Sequence, residues 1–201
     1  MTSPDVVWHN AIINRGLRER LNGHRGAVIW FTGLSGAGKS TLAHTVEDRL
    51  YKLGCRTYVL DGDNVRHGLC ADLGFSAADR HENIRRVIET AKLFADAGII
   101  TFAAFISPFA QDRDVARARL GDDYHEVYCR CAIEICEQRD TKGLYKRARA
   151  GQVAEFTGVS SPYEEPAQPA LVLDTGATSL EHCADQVLEL LVGKGVISSA
   201  R

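Results

Sequence analysis

The chain carries, at positions 33 to 41, the stretch Gly33-Leu34-Ser35-Gly36-Ala37-Gly38-Lys39-Ser40-Thr41. Its first eight residues match the phosphate-binding pattern G-x-x-x-x-G-K-[ST] at every fixed position. The apolar run Ala27–Thr32 before it predicts a buried strand, and Ser40–Leu53 after it predicts a helix that stops at Gly54. A glycine- and serine-rich turn can match such a pattern by chance, but the strand and helix favour a phosphate-binding loop.

The chemistry of phosphate binding accounts for the fixed positions of this loop. Glycines let backbone N–H groups turn inward around phosphate oxygens, where a Cβ atom would clash, and the start of the following helix adds a partial positive charge. Lys39 is placed to reach the β- and γ-phosphates, and the Ser40 hydroxyl is placed to hold magnesium. The whole stretch Gly33–Thr41 is therefore predicted to bind a nucleoside triphosphate.

The bulk properties are those of an ordinary globular protein with one domain. Its 201 residues are 45% hydrophobic and 25% charged, which is enough for a sizeable core. A formal net charge of −2 gives no general reason to expect nucleic acid or a membrane as a partner. We find no signal peptide and no run of the ~20 apolar residues that a membrane helix needs, so we expect a soluble, cytoplasmic protein.

The six cysteines form no C-x-x-C pair and show no zinc-binding spacing. Cys129 and Cys131 are two positions apart on a predicted strand, so their side chains share a face. We expect them to be buried thiols, with a redox switch as the alternative.

Strand-like and helix-like segments alternate along the chain. We expect strands at 27–32, 56–60, 99–106, 124–131 and 171–174, with helices between them. This alternation favours a mainly parallel sheet covered on both faces, and the right-handed crossover rule limits the topology to a doubly wound, three-layer α/β sandwich. Residues 1–24, which include Trp8 and Leu17, are expected to form an amphipathic arm that packs on the body or on a partner subunit.

Two carboxylates follow the second predicted strand. Asp61 and Asp63 lie where ligands bind in open α/β sheets, beside the phosphate loop. One of them can accept the proton of an attacking hydroxyl and the other can hold magnesium-bound water; a solvated Asp-Gly turn is the alternative. The Asn-Lys-x-Asp segment of GTP-binding switches does not occur, and Ile106 at the end of the third strand is followed by Ser107 and not by an acid. The pattern favours phosphoryl transfer to an alcohol.

Two further features each have two interpretations. The region 142–158 begins with a basic stretch, which is typical of a lid over the phosphoryl group or of an exposed basic helix face. Phe75 and Phe156 lie in polar, glycine-containing stretches, where a ring stacks on a base or fills the core.

Several motifs follow the phosphate loop in a specific order. They are Asp61-Gly-Asp-Asn-Val-Arg66, Gly74-Phe-Ser with Asp79-Arg-His-Glu-Asn-Ile-Arg-Arg86, Phe105-Ile-Ser-Pro-Phe109, Lys142-Gly-Leu-Tyr-Lys146, Phe156-Thr-Gly158 and Ser161-Pro-Tyr-Glu164. Together they resemble the adenylylsulfate (APS) kinase family from about Val7 to Leu191. The departures from the family pattern lie outside the phosphate and acceptor segments, at Gly121–Tyr124, Cys129–Cys131, Thr141 and Ala170.

The resemblance implies a P-loop kinase fold with a mobile lid at 142–158. It also implies transfer of the γ-phosphoryl group of ATP to the 3′-hydroxyl of adenosine 5′-phosphosulfate, which gives PAPS and ADP, the second step of sulfate activation. Mg²⁺ is the implied cofactor, held by Ser40 and through water by Asp61 and Asp63. The family is usually dimeric and binds the ATP adenine near the position of Thr175–Thr178, and association with an ATP sulfurylase is left open.

The resemblance further implies roles for individual residues. Asp61 matches the candidate base, and Ser107 matches a serine described as a phosphoserine intermediate. Because in-line transfer needs positioning and charge neutralisation, and no base adjoins Ser107, we expect direct transfer instead. The implied catalytic set is Asp61, Lys39, Asp63, Ser107 and Lys142. The implied APS site comprises Asp61, Asp63, Arg66, Phe75, Arg80, Asn83, Ile106, Ser107, Lys142, Leu144 and Phe156, with Arg66, Arg80 and Asn83 at the phosphosulfate and ribose and the two phenylalanines around the adenine.

Two other functions are compatible with a triphosphate site. One is a kinase for another small alcohol or nucleotide, and the acceptor-side residues favour APS over these. The other is a non-catalytic nucleotide sensor whose basic lid engages a partner protein. The intact pair of Asp61 and Asp63 weighs against the sensor.

Overall fold

A computed structural model of the chain describes residues 5–7, 9, 11–140 and 142–198, so Trp8 and Thr141 lie outside the described residues. The chain forms a β-sheet with helices on both of its faces. The strands are β1 (Ala27–Thr32), β2 (Thr57–Asp61), β3 (Ile100–Ala104), β4 (Tyr124–Arg130) and β5 (Leu171–Asp174). The helices are α1 (Arg15–Asn22), α2 (Lys39–Lys52), α3 (Ala77–Asp96), α4 (Ala110–Leu120), α5 (Ile133–Arg139), α6 (Leu144–Arg149) and α7 (Leu180–Gly193), with 3-10 turns at Asn64–His67 and Gly121–Asp123.

The five strands are ordered β2-β3-β1-β4-β5, and every neighbouring pair is parallel. This confirms the predicted parallel α/β sandwich. β1 is central, because Phe31 is paired with Ala104 of β3 on one side and with Val127 of β4 on the other. The loop that follows β1 therefore opens at the carboxyl edge of the sheet, between the ends of its two neighbours.

Each face of the sheet has its own hydrophobic core. Along β1, Ile29 and Phe31 pack into the core shared with α2 and α7, whereas Val28 and Trp30 pack into the core shared with α3 and α4. Every residue of β1 is buried. A strand covered on both faces needs such a continuous apolar run, which is why this strand was readable from the sequence.

The strand ends differ slightly from the predicted ones. β3 stops at Ala104, two residues before the predicted end, because the chain then turns out of the sheet and Ser107 has a φ of 39°. β2 extends one residue beyond the prediction, since Asp61 is still paired with Ala104. α3 begins directly after Ser76, whose hydroxyl caps the helix by accepting a hydrogen bond of 3.2 Å from the backbone N–H of Asp79.

The N-terminal arm is attached to the body by polar contacts. Arg15 of α1 donates a hydrogen bond of 2.7 Å to Asp123, and Asn22 donates one of 2.8 Å to the carbonyl of Gly98. No residue of α1 is buried, and Leu21 is 89% exposed. In the described part of the arm, polar side chains thus contact the body, while the apolar side chains of Ile12 and Leu21 are largely exposed.

All six cysteines are buried, and none of them forms a disulfide. Cys129 and Cys131 belong to the same core, which confirms the prediction of buried thiols on one face. Within the described part of the chain, no helix combines the length and the apolar character needed to cross a membrane.

Candidate active site

The phosphate loop joins β1 to α2 and is pressed against neighbouring backbone. Gly33, Gly36 and Gly38 all have positive φ values, of 147°, 77° and 83°. A Cβ atom would lie 2.5 Å from the carbonyl oxygen of Cys129 if added at Gly33, and 2.9 Å from that of Cys136 if added at Gly36. Both the backbone conformation and the close packing therefore require glycine at the first two positions.

Lys39 lies inside this loop. Its ammonium group donates hydrogen bonds of 2.9 Å and 2.7 Å to the carbonyls of Gly33 and Leu34. Burial lowers the pKa of Lys39 to about 8. Phosphate oxygens in the loop would supply the opposite charge that favours the protonated amine, so this lysine is suited to a polyphosphate ligand.

Asp61 faces the phosphate loop from the end of β2. One carboxylate oxygen accepts a hydrogen bond of 2.6 Å from the Ser40 hydroxyl, and the other accepts one of 2.9 Å from the backbone N–H of Asp63. Asp61 is buried, so it is part of the wall of the site and not of a solvated turn. Asp63 is exposed and forms an ion pair with Lys142. The two carboxylates thus have different surroundings, as different chemical roles require.

Arg66 and Arg80 organise the loop that carries Phe75. The Phe75 ring is 63% exposed, and the guanidinium of Arg66 lies over it at 4.4 Å from the ring centroid. Arg80 donates hydrogen bonds of 2.8 Å to the carbonyls of both Phe75 and Glu155. It therefore ties the Phe75 loop to the segment that leads into Phe156.

Asn83 and Phe156 lie deeper than Phe75. The side-chain oxygen of Asn83 is buried without a hydrogen-bond partner, a state that costs about 1–3 kcal/mol unless a donor is supplied. Phe156 is buried, packs edge-to-face on Tyr145 at 5.0 Å between ring centroids, and belongs to the core against which Leu144 also packs. The two predicted stacking rings therefore differ, because Phe75 is largely exposed beside Arg66 whereas Phe156 fills core space.

Ile106 and Ser107 follow β3. The carbonyl of Ile106 accepts a hydrogen bond of 2.8 Å from the Thr32 hydroxyl. The Ser107 hydroxyl is buried and accepts a hydrogen bond of 3.1 Å from the indole N–H of Trp30. Such a hydroxyl serves the structure of the sheet edge, which agrees with the expectation that Ser107 is not a covalent intermediate.

Comparison with known proteins identifies the family. A family model described as adenylylsulphate kinase matches residues 25–174. The chain belongs to the adenylylsulfate kinase family. An adenylyl-sulfate kinase of Acaryochloris marina is 59% identical over 198 residues, which is 98% of this chain and 97% of the relative. A probable adenylyl-sulfate kinase of Bacillus subtilis is 50% identical over 196 residues, which is 97% of this chain and 98% of the relative.

Solved structures agree with this assignment. The Mycobacterium tuberculosis APS kinase in complex with AMPPNP and APS is 49% identical, with a TM-score of 0.80 over 84% of this chain and 98% of the other. A gluconokinase of Sinorhizobium meliloti, at 14% identity and a TM-score of 0.55, shares the fold alone. This adenylylsulfate kinase is thus an enzyme that uses ATP to phosphorylate APS, and the predicted family, fold class and activity are confirmed.

Residues 142–158, the predicted lid of this adenylylsulfate kinase, contain α6 and the basic stretch. Tyr145 and Ala148 dock α6 on the core, whereas Lys146 is exposed and Arg149 pairs with Glu137 at 2.5 Å. Its basic face is therefore solvated, while Lys142 just before the helix reaches Asp63 across the site. Closure of 142–158 over a nucleotide stays a prediction.

Three contacts that hold the phosphate loop were missed in the sequence. The Tyr145 hydroxyl donates a hydrogen bond of 2.9 Å to the carbonyl of Ser35, and the Thr175 hydroxyl donates one of 2.9 Å to that of Ala37. Arg139 donates hydrogen bonds to Gly36 at 3.3 Å and to the carbonyl of Thr175 at 2.7 Å. Tyr145 and Thr175 lie in segments singled out from the sequence, but their contacts with the loop were not predicted, because the loop residues they bind lie more than a hundred positions away along the chain.

Proposed function

We propose that this adenylylsulfate kinase transfers the γ-phosphoryl group of ATP in line to the 3′-hydroxyl of APS, which gives PAPS and ADP. The observation that carries the proposal is the 2.6 Å hydrogen bond between Ser40 and Asp61, which sets a buried carboxylate beside the phosphate loop. The relative solved with AMPPNP and APS supports the same pair of nucleotides.

The phosphate loop would bind the ATP tail. Backbone N–H groups of Gly33–Thr41 point at phosphate oxygens in loops of this kind, and the N-terminus of α2 adds a partial positive charge. Lys39 would neutralise charge that develops on the transferring group. The adenine of ATP would lie near Thr175–Thr178, since Thr175 contacts the loop directly.

The acceptor would lie on the β2–β3 side of the loop. Asp61 would take the proton of the 3′-hydroxyl, a contribution of roughly 10²–10⁴-fold for general base catalysis. Arg66, Arg80 and Asn83 would hold the phosphosulfate and ribose, and the unpartnered oxygen of Asn83 is suited to a hydroxyl donor. Phe75 would stack on one side of the adenine, with Phe156 behind it and Ile106, Ser107, Lys142 and Leu144 along the wall.

Magnesium is the proposed cofactor. The hydroxyl of Ser40 and the carboxylates of Asp61 and Asp63 are oxygen ligands of the kind that Mg²⁺ prefers, and Mg²⁺ takes its other ligands from phosphates and water. When bound, it would neutralise charge on the β- and γ-phosphates.

We further propose that residues 1–201 form one kinase domain with the arm at 1–24 and the lid at 142–158.

A homodimer is supported by apolar side chains of the arm, since Ile12 is 91% exposed and Leu21 is 89% exposed. An APS kinase of Thiobacillus denitrificans is described as hexameric; it is 31% identical, with a TM-score of 0.67 over 90% of this chain and 32% of the other. Buried cysteines that form no disulfide suit the reducing cytoplasm. Association with ATP sulfurylase stays a prediction.

The test is ADP formation by the full chain with MgATP alone and with APS, AMP, gluconate or shikimate added. We expect rapid ADP release with APS only, and AMP is the matched control because it lacks only the sulfate group. Equal release with AMP or a sugar acid would assign the site to another kinase, and release independent of any acceptor would contradict phosphoryl transfer to an alcohol.

A further inference from the structure

Ser107 has a backbone conformation that a residue with a side chain rarely adopts. Its φ of 39° lies in the left-handed region. The residue directly follows Ile106 and is buried. Such a conformation is strained and persists only where the surrounding structure enforces it. Something near Ser107 must therefore hold this turn in place.

The turn lies between the two halves of the site. The carbonyl of Ile106 faces the backbone N–H of Gly33, the first residue of the phosphate loop, at 3.5 Å. Two residues earlier, the carbonyl of Ala104 accepts a hydrogen bond of 3.1 Å from the backbone N–H of Gly62, directly after Asp61. A shift of this short segment would change the spacing between the phosphate loop and Asp61.

Arg113 of α4 contacts the turn at the carbonyl of Ser107, in addition to the hydrogen bonds that Trp30 and Thr32 donate to it. One terminal nitrogen donates a hydrogen bond of 2.7 Å to the carbonyl of Ser107, and the other donates one of 2.6 Å to the carbonyl of Glu164. Its third nitrogen, Nε, lies 2.9 Å from the carboxylate of Glu126, and both side chains of this ion pair are almost fully buried. The planar guanidinium thus holds three segments in one fixed geometry. They are the Ser107 turn, β4 through Glu126, and the connector that carries Glu164 and leads into β5.

We propose that Arg113 is a positioning residue for the acceptor half of the site. It holds Ser107 in the left-handed conformation and thereby keeps the Asp61 turn at the correct distance from the phosphate loop. Arg113 acts through Ser107, and the phosphate loop keeps its own supports at Ser35, Gly36 and Ala37. The inference rests on the proposed function, because it assigns a means of placing the APS acceptor.

Arg117 offers a matched control. It binds the same carboxylate of Glu126, at 2.6 Å, but from the exposed side, and its other contacts are with Gln168 and the ring of Tyr124. Arg117→Met therefore disturbs the same carboxylate without touching the Ser107 turn. Arg113→Lys is the conservative variant, since an ammonium group keeps the charge beside Glu126 but lacks the planar fork that reaches two carbonyls.

The test measures KM for APS, kcat and the Kd for MgATP in these variants of the full chain. We expect Arg113→Met to raise KM for APS roughly tenfold, because loss of the contact lets Ser107 relax out of a strained backbone conformation. The Kd for MgATP should stay within about twofold of wild type. Arg113→Lys should recover only part of the loss, and Arg117→Met should match wild type. An unchanged KM for APS in folded Arg113→Met would overturn the proposal, as would an equal change in the Kd for MgATP.

A double-mutant cycle with Ser107→Gly separates positioning from general packing. Glycine adopts positive φ without strain, so the effect of Arg113→Met on KM for APS should shrink to about twofold in the Ser107→Gly background. The same tenfold effect in both backgrounds would mean that Arg113 does not act through Ser107. If Arg113→Met alone does not fold, the double variant with Glu126→Gln also removes the buried carboxylate that loses its partner Arg113. The same rise of roughly tenfold in KM for APS is expected of it. Wild-type protein without APS-dependent ADP release would instead refute the proposed function.

Discussion

The hydroxyl of Ser40 donates a hydrogen bond of 2.6 Å to a carboxylate oxygen of Asp61. Ser40 belongs to the first turn of α2, which follows β1, and Asp61 ends β2. The contact therefore links the ends of two segments whose strands, β1 and β2, are separated in the sheet by β3. It brings a potential base to the place where the γ-phosphate of ATP would lie. The proposed chemistry depends on this placement more than on any other contact in the site.

Asp61→Asn should abolish general base catalysis while leaving the site intact. Asparagine has nearly the same size and can still accept the hydrogen bond from Ser40. We expect kcat to fall by roughly 10²–10⁴-fold, with little change in the Kd for MgATP measured by calorimetry. Turnover equal to wild type would remove Asp61 from the role of base.

Binding of MgATP should weaken above pH 8. Burial lowers the pKa of Lys39 to about 8 in the free protein, and bound phosphate would raise it again by favouring the charged amine. Binding therefore requires no proton uptake below pH 8, and above pH 8 it requires one proton, so the affinity should fall by about tenfold per pH unit. Burial also raises the pKa of the nearby Cys129 to about 12, so this thiol stays neutral in that range.

Calorimetric Kd values for MgATP between pH 7 and 9.5 check this expectation. Ser40→Ala is the control, because it weakens binding without removing the titrating lysine and should show the same slope. A flat profile in the wild-type protein would contradict a depressed pKa at Lys39.

Truncation of the two phenylalanines of the acceptor side should affect different properties: stability for Phe156 and binding of APS for Phe75. Phe156 is 8% exposed and packs in the core, so Phe156→Ala should lower the free energy of unfolding by about 3–5 kcal/mol. Phe75 is 63% exposed, so Phe75→Ala should barely change stability. If Phe75 stacks on the adenine of APS, the loss of about 1–3 kcal/mol of stacking should appear as a higher KM for APS.

Urea unfolding without ligands and KM for both nucleotides check this pair. Large destabilisation by Phe75→Ala, or a rise in KM for ATP in place of APS, would contradict the assignment. Phe75→Leu is a useful control, because it keeps an apolar side chain but loses the aromatic face.

Lys142 should matter for catalysis and not for stability. Its ion pair with Asp63 is solvent-exposed on both sides, and exposed pairs contribute about 0–1 kcal/mol. Lys142→Met should therefore leave the unfolding midpoint nearly unchanged but lower kcat/KM, with a loss that diminishes at high salt. Lys146→Met is the matched control, since Lys146 of α6 is also exposed but is directed to solvent. Equal activity of both variants would remove Lys142 from the site.

Much of the fold was predictable because its signals are local. The run of β1, the glycines of the phosphate loop and the Ser76 cap each show their structural role within a few residues of sequence. The position of Asp61 followed as well, since carboxyl ends of parallel strands share one edge of the sheet.

The supports of the site were not predictable, because they join distant parts of the chain. Trp30 and Ser107 meet across 77 positions, and Arg113 meets Glu164 across 51. The conformation of Ser107 was also hidden, since the near-continuous apolar run up to Ile106 indicated an unbroken strand. In the same way, the polar neighbours of Phe156 concealed that its ring packs on Tyr145.

The most direct test of the account is to identify the product that the full chain forms from MgATP and APS. Phosphorus NMR and mass spectrometry of the separated nucleotides locate the transferred phosphoryl group and count one ADP per product. We predict PAPS, phosphorylated at the 3′-hydroxyl, formed by the wild-type protein and at most about a hundredth as fast by Asp61→Asn. A phosphoryl group on another atom, or ADP without a phosphorylated nucleotide, would contradict the central claim.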